Sequence, residues 1–470
     1  MRYRPYSNFG LCNAARFERL DRSMSVARRR LKTLVGAGSV LYASGDAEVA
    51  QGVRRAAALA RKAEAEKITG LFTADLLQAD PAGLAGGTGS QEPIVALAAL
   101  SQATSHIGLV ATVSTTYHHP YNIARLIGTL DHVSGGRAAW NAVTSSVGEE
   151  NFGIGALPDP ERRYACAKEF VEVVNALFDA NDAAAARRMP SGSVSIDPRK
   201  LGAIDYRGEH FQVQGPLNVP PPPQRRPVQF QAGQSASGVT LGARYAEVVY
   251  TSQPTLDDAS AFVTELRRQA VGFGRANRLP LVMNSFHSTI GESPADVARR
   301  LRDKHDRIDY EQGRLKLADM LGGTIDLTGL PLDRPLSEAL LPAVDSVNRR
   351  RGRVAIFRGY ALQGLTLREL IIRAQDTGHW SAAGTPEQLA DAIEQRYRAG
   401  LVDIVSLHGL GQPDQEDLLL NGLLPELRKR DLIDTYYCGG DLRSNLELPT
   451  LQTISIEDGS RNANESVTTP

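Results

Sequence analysis

The chain has 470 residues, of which 42% are hydrophobic, so it is long enough for one large core such as an α/β barrel with insertions. Lys plus Arg total 53 and Asp plus Glu also total 53, which excludes a whole-surface field able to hold nucleic acid. Three widely spaced cysteines, Cys12, Cys166 and Cys438, argue against a disulfide framework or a zinc site and favour a reducing cytoplasm. The sequence shows no membrane span and no signal peptide.

The first part of the chain predicts a basic extension followed by the opening of a barrel. Residues 1–32 form the extension, and the first strand lies either at 9–14 or, preferably, at 33–42. Apolar residues at helical spacing predict a helix over 48–67. A short buried strand over 68–75 then ends in a carboxylate, Asp75.

A strand, a helix and a second strand are predicted over residues 107–145. The β-branched run 107–113 is followed by Pro120 and by apolar residues at i, i+3, i+4 and i+7, namely Ile123, Leu126, Ile127 and Leu130. Gly135 and Gly136 end this helix, and 137–143 returns to strand-like composition. The segment therefore predicts the right-handed βαβ crossover of a parallel sheet.

The rest of the chain continues the alternation of strands and helices, which brings the strand count to eight. We predict a single (β/α)8 TIM barrel domain over residues 1–470, with insertions at 181–226 and 305–380 and a polar, poorly ordered tail at 446–470. The remaining strands are predicted at 227–231, 247–252, 281–290 and 402–408, and the helices at 93–104, 161–180, 257–274, 367–374, 385–398 and 416–428.

Polar residues follow several of these strands, at the edge where parallel sheets bind ligands. Thr112 closes one strand and Asn141 closes the next. The small residues 232–238 turn directly into a helix near Val239, and such a turn frees backbone N–H groups to hold a phosphate. Ser235 and Gly233 lie in this turn, which makes it the best supported candidate site.

Ordered motifs in the central segment resemble those of flavin-dependent monooxygenases related to bacterial luciferase. The motifs are His-Pro-Tyr at 119–121, Ala-Arg at 124–125, Leu-Asp-His at 130–132, Ser-Gly-Gly-Arg at 134–137 and Trp-Asn-Ala-Val-Thr-Ser at 140–145. They are most similar to the branch that contains nitrilotriacetate monooxygenase and dibenzothiophene-sulfone monooxygenase. The resemblance covers roughly residues 50–450 and implies a luciferase-like barrel.

The resemblance also implies a flavin site, whose residues match the family motifs one by one. Asp75 of Phe-Thr-Ala-Asp, Thr112 and Asn141 would lie near the flavin ring, while Tyr164, Gly233 and Ser235 would lie near the ribityl phosphate. Each has a plainer interpretation: a structural hydrogen-bond acceptor for Asp75, strand-end capping for Thr112 and Asn141, and packing for Tyr164.

A metal site is not predicted. His118 and His119 are adjacent and so diverge on regular structure, and no helical His-x-x-x-His accompanies them. His119 is expected to begin the helix and His132 to end it near the carboxyl-terminal dipole.

The implied function is that of an FMN-dependent monooxygenase in a two-component system. Reduced FMN would come from a separate NAD(P)H-dependent flavin reductase, and the enzyme would use O2 to oxidise a small organic molecule, an organosulfur compound or an amine. The family also implies a homodimer or higher homo-oligomer. No catalytic residue is assigned.

Two alternatives stay open. One is a deazaflavin-dependent oxidoreductase of the same barrel class. The other is a non-catalytic flavin-binding relative, because residues 1–60 lack the family's Gly-His-His and Trp-Arg-x-Pro segments and Pro160 replaces a usual histidine.

Overall fold

Eight parallel strands close into a barrel, as the sequence predicts. The structure is a computed structural model that describes residues 29–36, 49–79, 91–180, 186–188 and 194–451. The barrel strands are β1 (Lys32–Gly36), β2 (Gly70–Thr73), β3 (Gly108–Ser114), β4 (Ala138–Val143), β9 (Val228–Ala232), β10 (Val248–Thr251), β11 (Leu281–Ile290) and β13 (Ile404–Leu407). Four short strands precede β9, namely β5 (Ala186–Arg188), β6 (Val194–Ile196), β7 (Tyr206–Arg207) and β8 (Gln212–Val213), and β12 (Trp380–Gly384) extends the sheet beside β11.

The barrel closes because β1 pairs with both β2 and β13, while β11 pairs with both β10 and β13. The position of β1 confirms the second of the two first-strand candidates at its beginning. Residues 37–42 of that prediction, and the other candidate at 9–14, lie outside the described residues. The basic extension was predicted one or two residues too long, because Leu31 bridges to Ile433 and Lys32 already belongs to β1.

Helices alternate with the barrel strands and cover its outside. They are α1 (Val49–Ala65), α2 (Pro93–Ser101), α3 (Pro120–Ser134), α4 (Pro160–Asp179), α5 (Ala236–Tyr245), α6 (Leu256–Gly272), α7 (Pro294–Asp306), α8 (Tyr310–Met320), α9 (Arg351–Leu362), α10 (Leu367–Gln375), α11 (Pro386–Arg398), α12 (Leu424–Lys429) and α13 (Leu442–Asn445). None of the described helices is long and apolar enough to cross a membrane.

The central motifs of the sequence build the β3–α3–β4 unit. His119 caps α3 by accepting a hydrogen bond from the Tyr121 amide, and Gly135 ends it with a left-handed φ of 70°. Arg137 is buried and donates to the carbonyls of Ser101, Thr104, Ile107 and Ser134 over 2.6–3.0 Å. The Ser-Gly-Gly-Arg motif therefore ties the end of α2 to the start of β3.

The barrel interior changes from apolar to polar along the strands. Its lower part is filled by a cluster that includes Leu34, Phe72, Val110, Phe230 and Met283. Because side chains alternate along a strand, Thr112 and Asn141 share the inward face with this cluster, one step closer to the carboxyl ends. A polar layer therefore lies at the mouth of an otherwise apolar barrel.

The carboxyl-terminal segment closes the opposite end of the barrel, which corrects the prediction of a polar tail over 446–470. Leu442, Leu446 and Leu448 are buried and join the interior cluster. Gly108 permits this contact, since a Cβ there would lie 2.4 Å from Leu442 Cδ1. The rest of the predicted tail, residues 452–470, lies outside the described residues.

The two predicted insertions contain more regular structure than the sequence pattern suggested. Within 181–226 the strands form two antiparallel pairs, β5 with β6 and β7 with β8. Within 305–380, α8, α9 and α10 pack around a separate apolar cluster that includes Leu317, Phe357 and Ile371. Helix α10 agrees with the helix predicted at 367–374.

Candidate active site

One wall of the barrel mouth is the turn between β9 and α5, which we call the phosphate turn (residues 233–238). Ser235 caps α5: its Oγ accepts from the Gly238 amide over 3.3 Å and donates to Tyr164 Oη over 3.2 Å. A Cβ at Gly238 would lie 2.9 Å from Tyr164 Oη and 3.0 Å from the Gly233 carbonyl carbon. The turn therefore needs its glycines, and it brings Gly233, Ser235 and Tyr164 together as predicted.

Tyr164 is positioned by the beginning of α4. Pro160 occupies the first turn of this helix, and Asp159 caps it by accepting from the Arg162 amide over 2.7 Å. The proline that replaces a family histidine is thus a helix-starting residue. The neighbouring Arg163 is buried, and its Nη1 donates to Ser145 O over 2.7 Å while its Nη2 bonds to Asn348.

Thr112 and Asn141 lie side by side on β3 and β4. Asn141 Nδ2 donates to Thr112 Oγ1 over 3.2 Å, and both side chains are buried. Asn141 Oδ1 is buried too and has no hydrogen-bond partner among the described residues. A buried acceptor without a partner is unfavourable, so this atom is suited to receive an N–H group from a ligand. Asp75 lies two residues beyond β2 and is half-buried.

Three histidines that sequence reasoning missed form a second wall beside this turn, which we call the histidine wall (His287, His379 and His408), because Ser252 bonds to His379 and its amide donates to Gln234 Oε1 over 3.1 Å. The rings of His287 and His408 stack with centroids 4.0 Å apart, and those of His287 and His379 lie 5.3 Å apart. Ser285 Oγ lies 2.6 Å from His408 Nε2, and Ser252 Oγ lies 2.8 Å from His379 Nδ1.

Burial keeps this wall neutral. It lowers the pKa of His287 to about 3, with nearby His408 and Lys304 acting in the same direction. It also lowers the pKa of His408, and it lowers that of His379 well below its ordinary value. Arg353 Nη2 lies 2.8 Å from His379 Nε2, and since arginine only donates, Nε2 is the acceptor and Nδ1 carries the proton.

The histidines considered for a metal have backbone roles instead. His119 caps α3, His118 Nδ1 lies 3.1 Å from Ser114 O, and His132 Nε2 lies 3.0 Å from Pro220 O. A cluster of possible ligands exists at the other end of the barrel, comprising Asp434, Cys438 and Glu447. There Lys32 Nζ lies 2.5 Å from Asp434 Oδ2 and 2.6 Å from Glu447 Oε1, so an ammonium group already supplies the positive charge.

Comparison with known proteins identifies the family. The model of the luciferase-like monooxygenase family matches residues 36–403. The chain belongs to this family. It is 38% identical to nitrilotriacetate monooxygenase component A of Aminobacter aminovorans, over 76% of this chain and 79% of that protein. It is 33% identical to dibenzothiophene-sulfone monooxygenase of Rhodococcus erythropolis, over 79% of this chain and 83% of that protein.

A solved structure agrees with the sequence relatives. EDTA monooxygenase from Chelativorans sp. BNC1 superposes with a TM-score of 0.70 at 30% identity, covering 90% of this chain and 99% of that one. The predicted family and its branch are therefore confirmed, and this luciferase-like chain is a flavin-dependent monooxygenase.

Two of the three histidines in the histidine wall could have been predicted from the sequence. His408 is the last residue of the strand predicted at 402–408, and His287 alternates with Ser285 on the strand predicted at 281–290. The strand-end rule that selected Thr112 and Asn141 applies equally to both. His379 had no such signal, because it lies within the insertion at 305–380.

Proposed function

We propose that this luciferase-like chain is the oxygenase component of a two-component system, which uses reduced FMN and O2 to oxidise a small organic amine or organosulfur compound. The observation that carries the cofactor assignment is the phosphate turn, where a capped helix start and glycines that exclude a Cβ meet the Tyr164 hydroxyl. Such a helix start favours a phosphate through its free amides and its dipole. FMN has that phosphate.

The residues present fit the flavin at both of its ends. Ser235, Tyr164 and the start of α5 would hold the phosphate, and Gly233 lets the turn pack closely, since a Cβ there would lie 2.6 Å from Gln231 Nε2. Asn141, supported by Thr112, would accept from a ring N–H through its unpartnered Oδ1, and Asp75 would lie near the same ring. Reduced flavin, when bound, supplies the electrons that activate O2.

The insertion 305–380 would exclude water from the mouth. Asn348, just before α9, receives both hydrogen bonds from Arg163 Nη2, and a Cβ on Gly352 would lie 2.3 Å from Gln234 Cγ. The insertion therefore packs against the phosphate turn and against α4. A closed, dry site favours oxidation of the substrate over unproductive loss of the electrons to solvent.

Separate observations support the partners and the compartment that we propose. The relative from Aminobacter is named as component A of its system, which supports a separate NAD(P)H-dependent flavin reductase for this chain. Exposed apolar side chains on neighbouring helices α2 and α3, namely Val95 at 71%, Leu126 at 47% and Val133 at 47%, support a homodimer. The two described cysteines, Cys166 and Cys438, are free thiols, which supports the cytoplasm as the compartment.

The test is an anaerobic titration of the full chain with reduced FMN, followed by stopped-flow mixing with oxygenated buffer. We expect micromolar or tighter binding and a rate of flavin reoxidation that differs from that of free reduced FMN. A parallel titration with a reduced deazaflavin should show weaker binding. Absence of reduced-FMN binding refutes the proposal, and binding with reoxidation at the free-flavin rate supports the non-catalytic alternative instead.

A further inference from the structure

Arg353, on α9, is an arginine whose charge has no counter-charge among the residues that the structure describes. Its Nη2 donates to His379 Nε2 over 2.8 Å, while its Nη1 is buried and has no hydrogen-bond partner in the described parts of the chain. Its neighbours differ: Arg350, just before α9, has its Nε 3.4 Å from Asp319, and Arg351, on α9, has its Nη1 3.2 Å from Glu161. Arg353 forms no salt bridge with any described residue.

The surroundings add to this positive charge. The positive charges of Lys304, Lys316 and Arg353 each lower the pKa of His287. The nearby carboxylate, Asp376, is already engaged: its Oδ1 lies 3.0 Å from Lys304 Nζ and 3.8 Å from His287 Nδ1. Burial lowers the pKa of Arg353 to about 10, which still leaves the guanidinium charged at neutral pH.

A buried guanidinium with one free arm and no counter-charge is costly, because a buried charge needs both a counter-charge and hydrogen bonds. The histidine wall cannot supply the counter-charge, since His379 is neutral and offers one acceptor. A ligand anion would satisfy both needs at once, and arginine is the residue best shaped for a carboxylate.

The position of Arg353 places its free Nη1 arm at the proposed reaction site. Tyr250, on β10, contacts the His379 ring on one side and the Phe72 ring of the barrel interior on the other, with centroids 5.7 and 5.4 Å apart. The adjacent Gly352 packs on Gln234 of the phosphate turn. Arg353 thus lies between the histidine wall and the proposed FMN phosphate.

We propose that Arg353, held in place by His379, binds a carboxylate of the substrate, so that the organic amine or sulfide oxidised by this chain is an acid. This inference rests on the proposed function for the identity of the substrate class. It assigns to the histidine wall a positioning role: neutral His379 accepts from Arg353 Nη2 through its Nε2, bonds to Ser252 through its Nδ1, and so holds one arm of the guanidinium while the other faces the ligand.

The cofactor phosphate is the other anion that could reach Arg353. The capped turn at Ser235 already supplies a phosphate site with its own donors, so the observations favour the substrate. The two sources differ in a measurable way, because riboflavin lacks the phosphate that FMN carries.

The experiment is isothermal titration of the full chain, with and without FMN, using four acids and their uncharged amides: iminodiacetate, nitrilotriacetate, thiodiacetate and succinate. We expect at least one acid to bind and its amide to bind at least tenfold more weakly. Arg353→Gln should weaken binding of that acid by about tenfold to hundredfold, since it removes a charged hydrogen bond. Arg351→Gln, on the same helix, is the matched control and should leave binding unchanged.

Three outcomes overturn the inference. The wild type binds none of the acids, it binds an acid and its amide equally, or Arg353→Gln binds the acid as tightly as the wild type does. If Arg353→Gln instead weakens FMN but not riboflavin, the anion is the cofactor phosphate. FMN affinity measured on the same preparations separates a failure here from a failure of the proposed function, because intact FMN binding leaves the latter standing.

Discussion

The phosphate turn and the histidine wall face the same barrel mouth but are built in different ways. The turn uses contiguous residues, 233–238, plus one hydroxyl from Tyr164, and its chemistry comes from backbone amides and a helix start. The wall takes its residues from β11 and from the segments before β12 and after β13, and its chemistry comes from side chains buried together. The turn is therefore a feature of one contiguous stretch, while the wall exists only once distant segments have folded together.

The largest expected effect concerns acid stability and tests whether the wall is neutral. In the unfolded chain His287 titrates near pH 6.5, whereas burial lowers its pKa to about 3 in the folded chain. Between these values the unfolded state binds more protons, so the free energy of unfolding falls as the pH falls through 6.5. His287→Phe should therefore reduce the slope of the free energy of unfolding against pH by about 1.4 kcal/mol per pH unit. Between pH 6.5 and pH 4 this amounts to about 3 kcal/mol.

Urea unfolding at several pH values checks this expectation. The matched control is His132→Phe, because His132 is exposed on α3 and far from the wall. Parallel stability curves for wild type and His287→Phe would show that His287 is free to ionise in the folded state, through the Asp376 carboxylate 3.8 Å away. The prediction that the histidine wall stays neutral would then be wrong.

The same contrast explains how much of this molecule was predictable. The barrel, its eight strands and the phosphate turn follow from local patterns, because periodicity and a glycine-rich helix start are properties of contiguous residues. Arg353 and His379 could not be placed, since their meeting depends on how the insertion 305–380 folds back over the mouth. Leu446 and Leu448 were assigned to a polar tail for a related reason: only the closed barrel creates an apolar end for them to cover.

The next prediction has a smaller effect and tests whether the phosphate turn contacts the phosphate end of the flavin. Ser235→Ala removes the cap of α5 and the hydroxyl proposed to contact the phosphate. We expect the dissociation constant for FMN to rise about tenfold to hundredfold, because charged hydrogen bonds contribute about 1.5–3 kcal/mol. Riboflavin affinity, followed by flavin fluorescence, should hardly change.

The control for this variant is Ser293→Ala, which removes an equivalent serine cap from α7, where Ser293 Oγ accepts from the Asp296 amide over 3.3 Å. It should cost a similar amount of stability, about 1 kcal/mol, without altering FMN affinity. An equal loss of FMN and riboflavin affinity in Ser235→Ala would mean that the turn supports the fold and not the phosphate.

Asn141→Leu should give the complementary result at the ring end. It removes the unpartnered Oδ1 and the bond from Nδ2 to Thr112 Oγ1, while keeping a side chain of similar size. We expect FMN and riboflavin to weaken equally, by about threefold to tenfold, since one neutral hydrogen bond contributes about 0.5–1.5 kcal/mol. Loss for FMN alone would place Asn141 at the phosphate and not at the ring.

The smallest effect decides how Tyr164 acts on the turn. Because Ser235 Oγ donates its one proton to Tyr164 Oη over 3.2 Å, the phenol O–H of Tyr164 is left to donate to the phosphate. Tyr164→Phe should therefore weaken FMN binding by about twofold to tenfold, again with riboflavin unaffected. A double-mutant cycle with Ser235→Ala separates two possibilities. If Tyr164 acts only through Ser235, the double variant is no weaker than Ser235→Ala alone, and the coupling equals the whole effect of Tyr164→Phe. If the two losses add, Tyr164 contacts the phosphate itself, as its free O–H indicates, and Ser235 contributes independently of it.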